Sequence, residues 1–268
     1  MNNNPIAVFD SGLGGLSVWK EIVRALPEES IMYYGDGANC PYGGKSQAEI
    51  IRLSEAIVRF LLDRGAKLIV VACNTATAGA ISYLRAHYAV PFVGMEPAVK
   101  PAAEHSETGV IAILATAGTL KGKLFTETSQ RFSAGVKILT RIGEGFVELI
   151  ETGRANSTQA EEAVRRTVEP LLAQGVDRLV LGCTHYPFLA ETLRRVIGDR
   201  PVELIDPAPA IARRVKEVLT ERNELAEAGH LAKYDYFSSG DEAYRGRLQE
   251  YGEHLLLGIK EENEHGKK

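Results

Sequence analysis

The chain has 268 residues, enough for one large or two modest domains. Its 45% apolar and 25% charged content is that of an ordinary globular chain, and a net charge of −4 gives no electrostatic reason to expect nucleic acid or an anionic membrane as partner. No apolar run approaches the ~20 residues that span a bilayer, and the N-terminus, MNNNPIAVFD, lacks a basic segment followed by an apolar one, so a cytosolic protein is expected. The cysteines, Cys40, Cys73 and Cys183, are an odd and sparse set that argues against a disulfide framework. With no Cys-x-x-Cys or His-x-x-x-His pair, no metal site is expected.

In chain order, short runs rich in Val, Ile and Leu read as strands covered on both faces: Ile6–Phe9, Ile31–Tyr34, Leu68–Ala72, Phe92–Met95, Val110–Leu114, Leu179–Leu181 and Val202–Ile205. Helical patterns lie between them at Gln47–Arg64, Thr158–Gln174 and Phe188–Ile197. A helix at Ala210–Leu219, a weaker strand at Tyr234–Phe237 and a last helix at Asp241–Tyr251 follow, and the polar end from about Glu261 is expected to fray. Strands alternating with helices predict an α/β fold with mostly parallel sheets.

The chain also repeats itself. At an offset of 110, Leu61–Ala98 aligns without a gap over Leu171–Ala208, with 10 of 38 positions identical, including Gly65/Gly175, Cys73/Cys183 and Pro97/Pro207. A weaker echo joins IAVFDSG (Ile6–Gly12) to IAILATA (Ile111–Ala117). Two similar α/β units placed face to face by a pseudo-two-fold would bring the matched cysteines to a shared cleft from opposite sides.

Each of these cysteines follows a strand, where open α/β sheets bind ligands. Cys73 opens a helix through Asn74-Thr75-Ala76, and Cys183 precedes Thr184-His185-Tyr186-Pro187. Helix amides there are expected to lower a thiol's pKa and to bind a carboxylate. Two opposed thiols suit either redox exchange or two-base proton exchange at a carbon, in which one thiolate removes a proton from one face and the other thiol delivers one to the opposite face. Asp10-Ser11-Gly12-Leu13-Gly14-Gly15 is not a dinucleotide or phosphate fingerprint. Its glycines permit a tight strand-to-helix turn, and Asp10 either binds a substrate ammonium, holds a proton or caps the helix. Tyr42 and Gly43 sit on a turn-rich loop able to close over an anion. Cys40 has no partner in the repeat and is read as non-catalytic. His185 replaces the Thr75 of the first half, as a one-sided acid or as a loop-orienting group. By its residues alone, Glu151 is an ordinary solvated glutamate.

These motifs, with Cys40-Pro41-Tyr42-Gly43 and Gly94-Met95-Glu96-Pro97-Ala98, resemble those of the cofactor-independent aspartate/glutamate racemase family from Ile6 to about Leu257. The resemblance implies interconversion of L- and D-glutamate, supplying D-glutamate for peptidoglycan in a bacterial cytoplasm, with no cofactor. It implies Cys73 and Cys183 as the acid/base thiols, assisted by Asp10, His185 and Glu151. Asp10, Ser11, Tyr42, Gly43, Asn74, Thr75, Thr184 and His185 are implied as substrate contacts. It further implies a homodimer and two α/β domains, 1–96 with 208–268 and 97–207, with crossovers at Glu96-Pro97-Ala98 and Asp206-Pro207-Ala208. An aspartate or hydantoin racemase, a thiol redox protein and a small-anion-binding protein remain as alternatives.

Overall fold

The computed structural model describes residues 1–95, 98–132 and 135–265. The first half alternates β1 (Ile6–Asp10), α1 (Leu16–Ala25), β2 (Ile31–Gly35), α2 (Gln47–Leu62), β3 (Leu68–Val71), α3 (Asn74–His87) and β4 (Phe92–Gly94). The second half holds α4 (Val99–His105), β5 (Val110–Ala115), α5 (Ala117–Lys121), α6 (Lys123–Phe132), β6 (Lys137–Ile142), α7 (Phe146–Glu151), α8 (Thr158–Leu172), β7 (Arg178–Gly182), α9 (Ala190–Ile197) and β8 (Glu203–Ile205). The chain closes with α10 (Ala208–Glu221), β9 (Tyr234–Ser238) and α11 (Glu242–His265).

The strands form two sheets, ordered β4-β3-β1-β2-β9 and β8-β7-β5-β6, with every strand pair parallel among the described residues. The fold is the expected α/β class, and the first four strands of each sheet occur in the same order. β9 and α11 belong with the first sheet, and α10 packs against α1, so the C-terminal part returns to where the chain began. One apolar core runs unbroken from Trp19 and Leu16 beneath the first sheet to Leu181, Val164 and Leu193 beneath the second, and smaller cores cover the outer faces.

The repeat seen in the sequence is structural. Residues 68 and 178 open β3 and β7, and Gly65 and Gly175 both turn the preceding chain at φ +82°, a conformation that favours glycine. The position before each strand holds a buried charge, but of opposite sign. Lys67 Nζ meets Glu29 Oε2 at 2.6 Å and donates to the carbonyls of Asn2 (2.5 Å) and Glu224 (2.8 Å). Asp177 accepts from Ser106 Oγ (2.7 Å) and the amides of Glu107 (2.5 Å) and Thr108 (3.0 Å). Burial alone would raise the Asp177 carboxyl, but these donors outweigh it and hold it below the usual range.

Three expectations need correction. The strand reading missed β6, an edge strand whose sequence KILTRI is half exposed and mixes charge with apolar residues, so no apolar run marks it. The Phe188–Ile197 helix begins as a 3₁₀ turn, Tyr186–Leu189, before α9. The last helix does not end at Tyr251 and the polar segment does not fray at Glu261. α11 continues to His265, because Leu255, Leu256 and Ile259 pack on the core and Glu262 pairs with Arg24 at 2.5 Å. Of the expected crossovers, Glu96 and Pro97 lie outside the described residues. At the other, Asp206 Oδ1 accepts the Ala208 amide at 2.9 Å as α10 starts.

Lys67→Met leaves the Glu29 carboxylate buried without its cation, and the Lys67 and Glu29 side chains are only 1% and 2% exposed. We expect a loss of about 3–5 kcal/mol in unfolding free energy, measured by urea denaturation; a loss within experimental error would show that the pair does not hold the N-terminal segment in place.

Candidate active site

Parallel strands present their carboxyl ends together, and here the ends of β1, β3, β5 and β7 converge between the two sheets. Ser11, Tyr42, Gly43, Cys73, Asn74, Thr75, Cys183, Thr184 and His185, drawn from both halves, line one cavity with Pro41, Thr116 and Val147. The cavity is narrow, with about 10 Å³ open to the centre of a water molecule, room for about one water. A larger ligand therefore requires the walls to part.

The other two expected residues stand behind the thiols rather than in the lining. Asp10 is fully buried. Its Oδ2 accepts the amides of Gly12 (3.3 Å) and Gly15 (3.0 Å), and its Oδ1 faces Thr184 Oγ1 at 3.5 Å. Both oxygens are thus engaged, and Oδ2 takes the amide-capping role that was one of the three readings of this residue. Glu151 is not a solvated glutamate either. Its Oε1 accepts from His185 Nε2 at 2.6 Å and from the Leu13 amide at 2.8 Å, and its Oε2 accepts from Tyr244 OH at 2.8 Å. His185 Nδ1 lies 3.8 Å from Cys183 Sγ, so Glu151, His185 and Cys183 form a chain.

The electrostatics of the two halves differ. Burial, reinforced by the Asp10 charge, pushes the Cys73 thiol well above its ordinary value, against the Ala76 amide at 3.4 Å and Ser11 Oγ at 3.7 Å. The expected lowering of this thiol by the helix N-terminus is therefore overturned: desolvation of a group this deep exceeds what one amide and a helix dipole supply. Burial likewise raises Asp10, with the His185 charge opposing it. For His185, burial pulls the imidazole down, but hydrogen bonds to Cys183, Cys40 and Glu151 lift it well above its ordinary value. Burial would raise Glu151, yet the hydrogen bond and charge of His185, with the Leu13 and Tyr244 donors, hold it below the ordinary carboxylate range. The second thiol is thus backed by an ion pair, the first by a buried carboxyl.

The loop 11–15 is built for this approach. A Cβ on Gly12 would lie 2.0 Å from Glu151 Oε1, and one on Gly14 would lie 2.2 Å from His185 Nδ1. The glycines let the second half press against the first, and neither has a positive φ. Ser17 Oγ completes the contact by donating to the carbonyls of Gly14 and Thr184, both at 2.9 Å. Tyr42 lines the cavity while its hydroxyl donates to Asp36, and Gly43 brings the backbone against Thr116.

Thr116, missed in the sequence, joins Thr75 Oγ1 at 2.8 Å across the cleft and Thr119 Oγ1 at 3.0 Å within its own half. Its signal was present, since Thr116 sits over Ser11 in the weak echo between the halves. Tyr244 and Asp36 carried no local signal. Asn74 Oδ1 is buried in the cavity wall and has no hydrogen-bond partner among the described residues, so it is an acceptor waiting for a donor.

The family model for Asp/Glu/hydantoin racemases matches residues 6–215. The glutamate racemase of Herpetosiphon aurantiacus is 44% identical over 250 residues, 93% of this chain and 98% of its own. That of Pseudomonas syringae pv. tomato is 47% identical over 236 residues, 88% of this chain and 85% of its own. Among solved structures, a glutamate racemase isoform from Bacillus anthracis superposes with a TM-score of 0.84 at 30% identity, covering 96% of this chain and 95% of that one. The Escherichia coli glutamate racemase, in complex with L-glutamate and the activator UDP-MurNAc-Ala, gives 0.82 at 34%, covering 94% and 95%.

Glu151→Gln tests the ion pair through the pH dependence of stability. The lowered Glu151 contributes above its ordinary value of 4.5, and that contribution is lost as pH falls through its lower folded value. The raised His185 contributes fully below 6.5 and loses its contribution as pH rises through its higher folded value. The stability gap between wild type and Glu151→Gln is therefore expected to be widest between those values and to shrink on both sides, as read by urea unfolding in a pH series. A gap that does not change with pH would contradict the ion pair.

Proposed function

Because this chain belongs to the Asp/Glu/hydantoin racemase family, we propose that it interconverts L- and D-glutamate by two-base proton exchange. The observation that carries the reading is the meeting of Cys73 and Cys183, from matched positions after β3 and β7, in one cavity. One thiolate removes the α-proton of the bound amino acid, and the facing thiol reprotonates the carbanion from the other side. The product's configuration is inverted and the two thiols exchange protonation states. General acid–base catalysis of this kind supplies roughly 10²–10⁴-fold.

Each thiol has its own assistant. Asp10, buried behind Cys73, takes up the thiol proton when Cys73 acts as base; its raised pKa makes it a better acceptor than an ordinary aspartate. His185, held as an imidazolium by Glu151, instead stabilises the thiolate of Cys183 when that residue is the base. Asn74 Oδ1 accepts from the substrate ammonium, whose positive charge stabilises the neighbouring carbanion. Ser11, Thr75, Thr116, Thr184 and the first amides of α3 hold the α-carboxylate as charge builds, donors worth about 3–4 kcal/mol each in sites of this type. No cofactor enters the scheme. The product serves peptidoglycan synthesis in a bacterial cytoplasm. We further propose a homodimer of chains, each built from domains 1–96 with 208–268 and 97–207.

Incubation with L-glutamate in D₂O, without added cofactor, is expected to give loss of optical activity together with α-deuteration, followed by circular dichroism and proton NMR. Cys73→Ser and Cys183→Ser are each expected to abolish the loss of optical activity. Exchange of D-aspartate but not of glutamate would move the substrate to the shorter acid, and full turnover in either cysteine variant would end the two-base reading. Asp10→Asn is expected to slow the step in which Cys73 is the base, by about 10²-fold or more. Because the overall equilibrium is fixed, kcat/KM must fall equally in both directions, while kcat falls unequally. Equal kcat losses would place Asp10 in a structural role.

A further inference from the structure

Cys40 is the one cysteine the proposed reaction does not use, yet it lies among the residues that run it. Its thiol points at Glu151 Oε1 at 3.7 Å, and the same oxygen meets His185 Nε2 at 2.6 Å. One donor atom from each of Cys40, Glu151 and His185 falls within 4.8 Å of the others. We propose that these three side chains form a binding site for a thiophilic divalent cation of the Zn²⁺ class, and that its occupancy inhibits the enzyme by capturing His185.

The donor set fits that class. Sulfur, imidazole nitrogen and carboxylate oxygen are the ligands of tetrahedral zinc, whereas Mg²⁺ and Ca²⁺ require several oxygens. Bond lengths of about 2.3 Å to sulfur and about 2.0–2.1 Å to nitrogen and oxygen put tetrahedral ligand atoms about 3.3–3.6 Å apart. The Cys40–Glu151 separation is already close to this, and the His185–Glu151 contact must open by about 0.7 Å. The carboxylate is held by the Leu13 amide and the Tyr244 hydroxyl, a supporting shell of the kind that orients metal ligands. Cys40 is only partly buried, which leaves its thiol within reach of solvent.

Binding releases the Cys40 thiol proton and the imidazolium proton to solvent. With the ring nitrogen that faces Glu151 committed to the metal, His185 no longer carries the imidazolium charge that stabilises the Cys183 thiolate. The site stands on geometry alone; only its effect on turnover rests on the racemase reading.

Two measurements separate these parts. First, Co²⁺ is titrated into Cys73→Ser/Cys183→Ser, which retains Cys40 as its only thiol. A thiolate-to-cobalt charge-transfer band saturating at one cobalt per chain is expected, and it must vanish when Cys40→Ser is added. No band, or a band that survives Cys40→Ser, overturns the site whether or not the chain is a racemase. Second, Zn²⁺ is expected to inhibit wild-type turnover, and Cys40→Ser, with each protein referred to its own metal-free rate, is expected to need about 10-fold or more Zn²⁺ for the same fractional inhibition. Equal sensitivity of the two would place the inhibitory metal on Cys73 or Cys183 and overturn the proposed mode.

Discussion

The carboxylate of Glu151 ties together parts of the chain that are remote in sequence, and the geometry around the second thiol depends on it. It stands at the end of α7 in the second half and accepts from a backbone amide in the loop after β1, from an imidazole after β7 and from a phenol on α11. Hydrogen bonds to an ionised group are worth about 1.5–3 kcal/mol each, and removing the acceptor leaves buried donors unpaired at further cost. The requirement also reaches back into the sequence. Gly12 and Gly14 have no side chains because Glu151 and His185 occupy the space a Cβ would need. The Tyr244 hydroxyl is the donor to Glu151 Oε2, and it ties α11 to the site.

Around that anchor the molecule is a duplication whose symmetry is broken where chemistry requires it. The two sheets share strand order, the strands β3 and β7 share their preceding glycine turn, and a cysteine follows each strand. The residues behind the cysteines are not shared. Asp10 has Ala115 as its counterpart, and His185 has Thr75. The two-base exchange proposed above uses one thiol on each face of the reacting carbon, and a duplicated unit supplies two such thiols to one cavity. Two identical buried assistants would carry the same charge in a small space. An acid raised by burial on one side and an imidazolium–carboxylate pair on the other let the site hold its charges without that repulsion.

Much of this was legible before the structure. Apolar strand runs, helical periodicity and the gapless repeat depend on local patterning and on the copying of one unit, and both are written along the chain. They were sufficient for the α/β class, for the matched cysteines and for most of the cavity wall. Where local patterning is weak the reading failed: β6 is an edge strand with polar residues, and α11 outlasts its polar sequence because three apolar side chains and one ion pair hold it to the core.

What the tertiary structure alone decided is which groups face which. Burial is a property of the assembled molecule, so no motif could reveal that desolvation would override the helix amides at Cys73, or that both Asp10 oxygens would be engaged. Cys40, Glu151 and His185 are separated by 111 and 34 residues, spacings that match no ligand motif, and only the closure of one half on the other brings their donor atoms together. The sequence by itself determined two similar units, each carrying a thiol beyond a strand. The packing between those units determined the electrostatics of the thiols, because the charges and amides around them come from both halves at once.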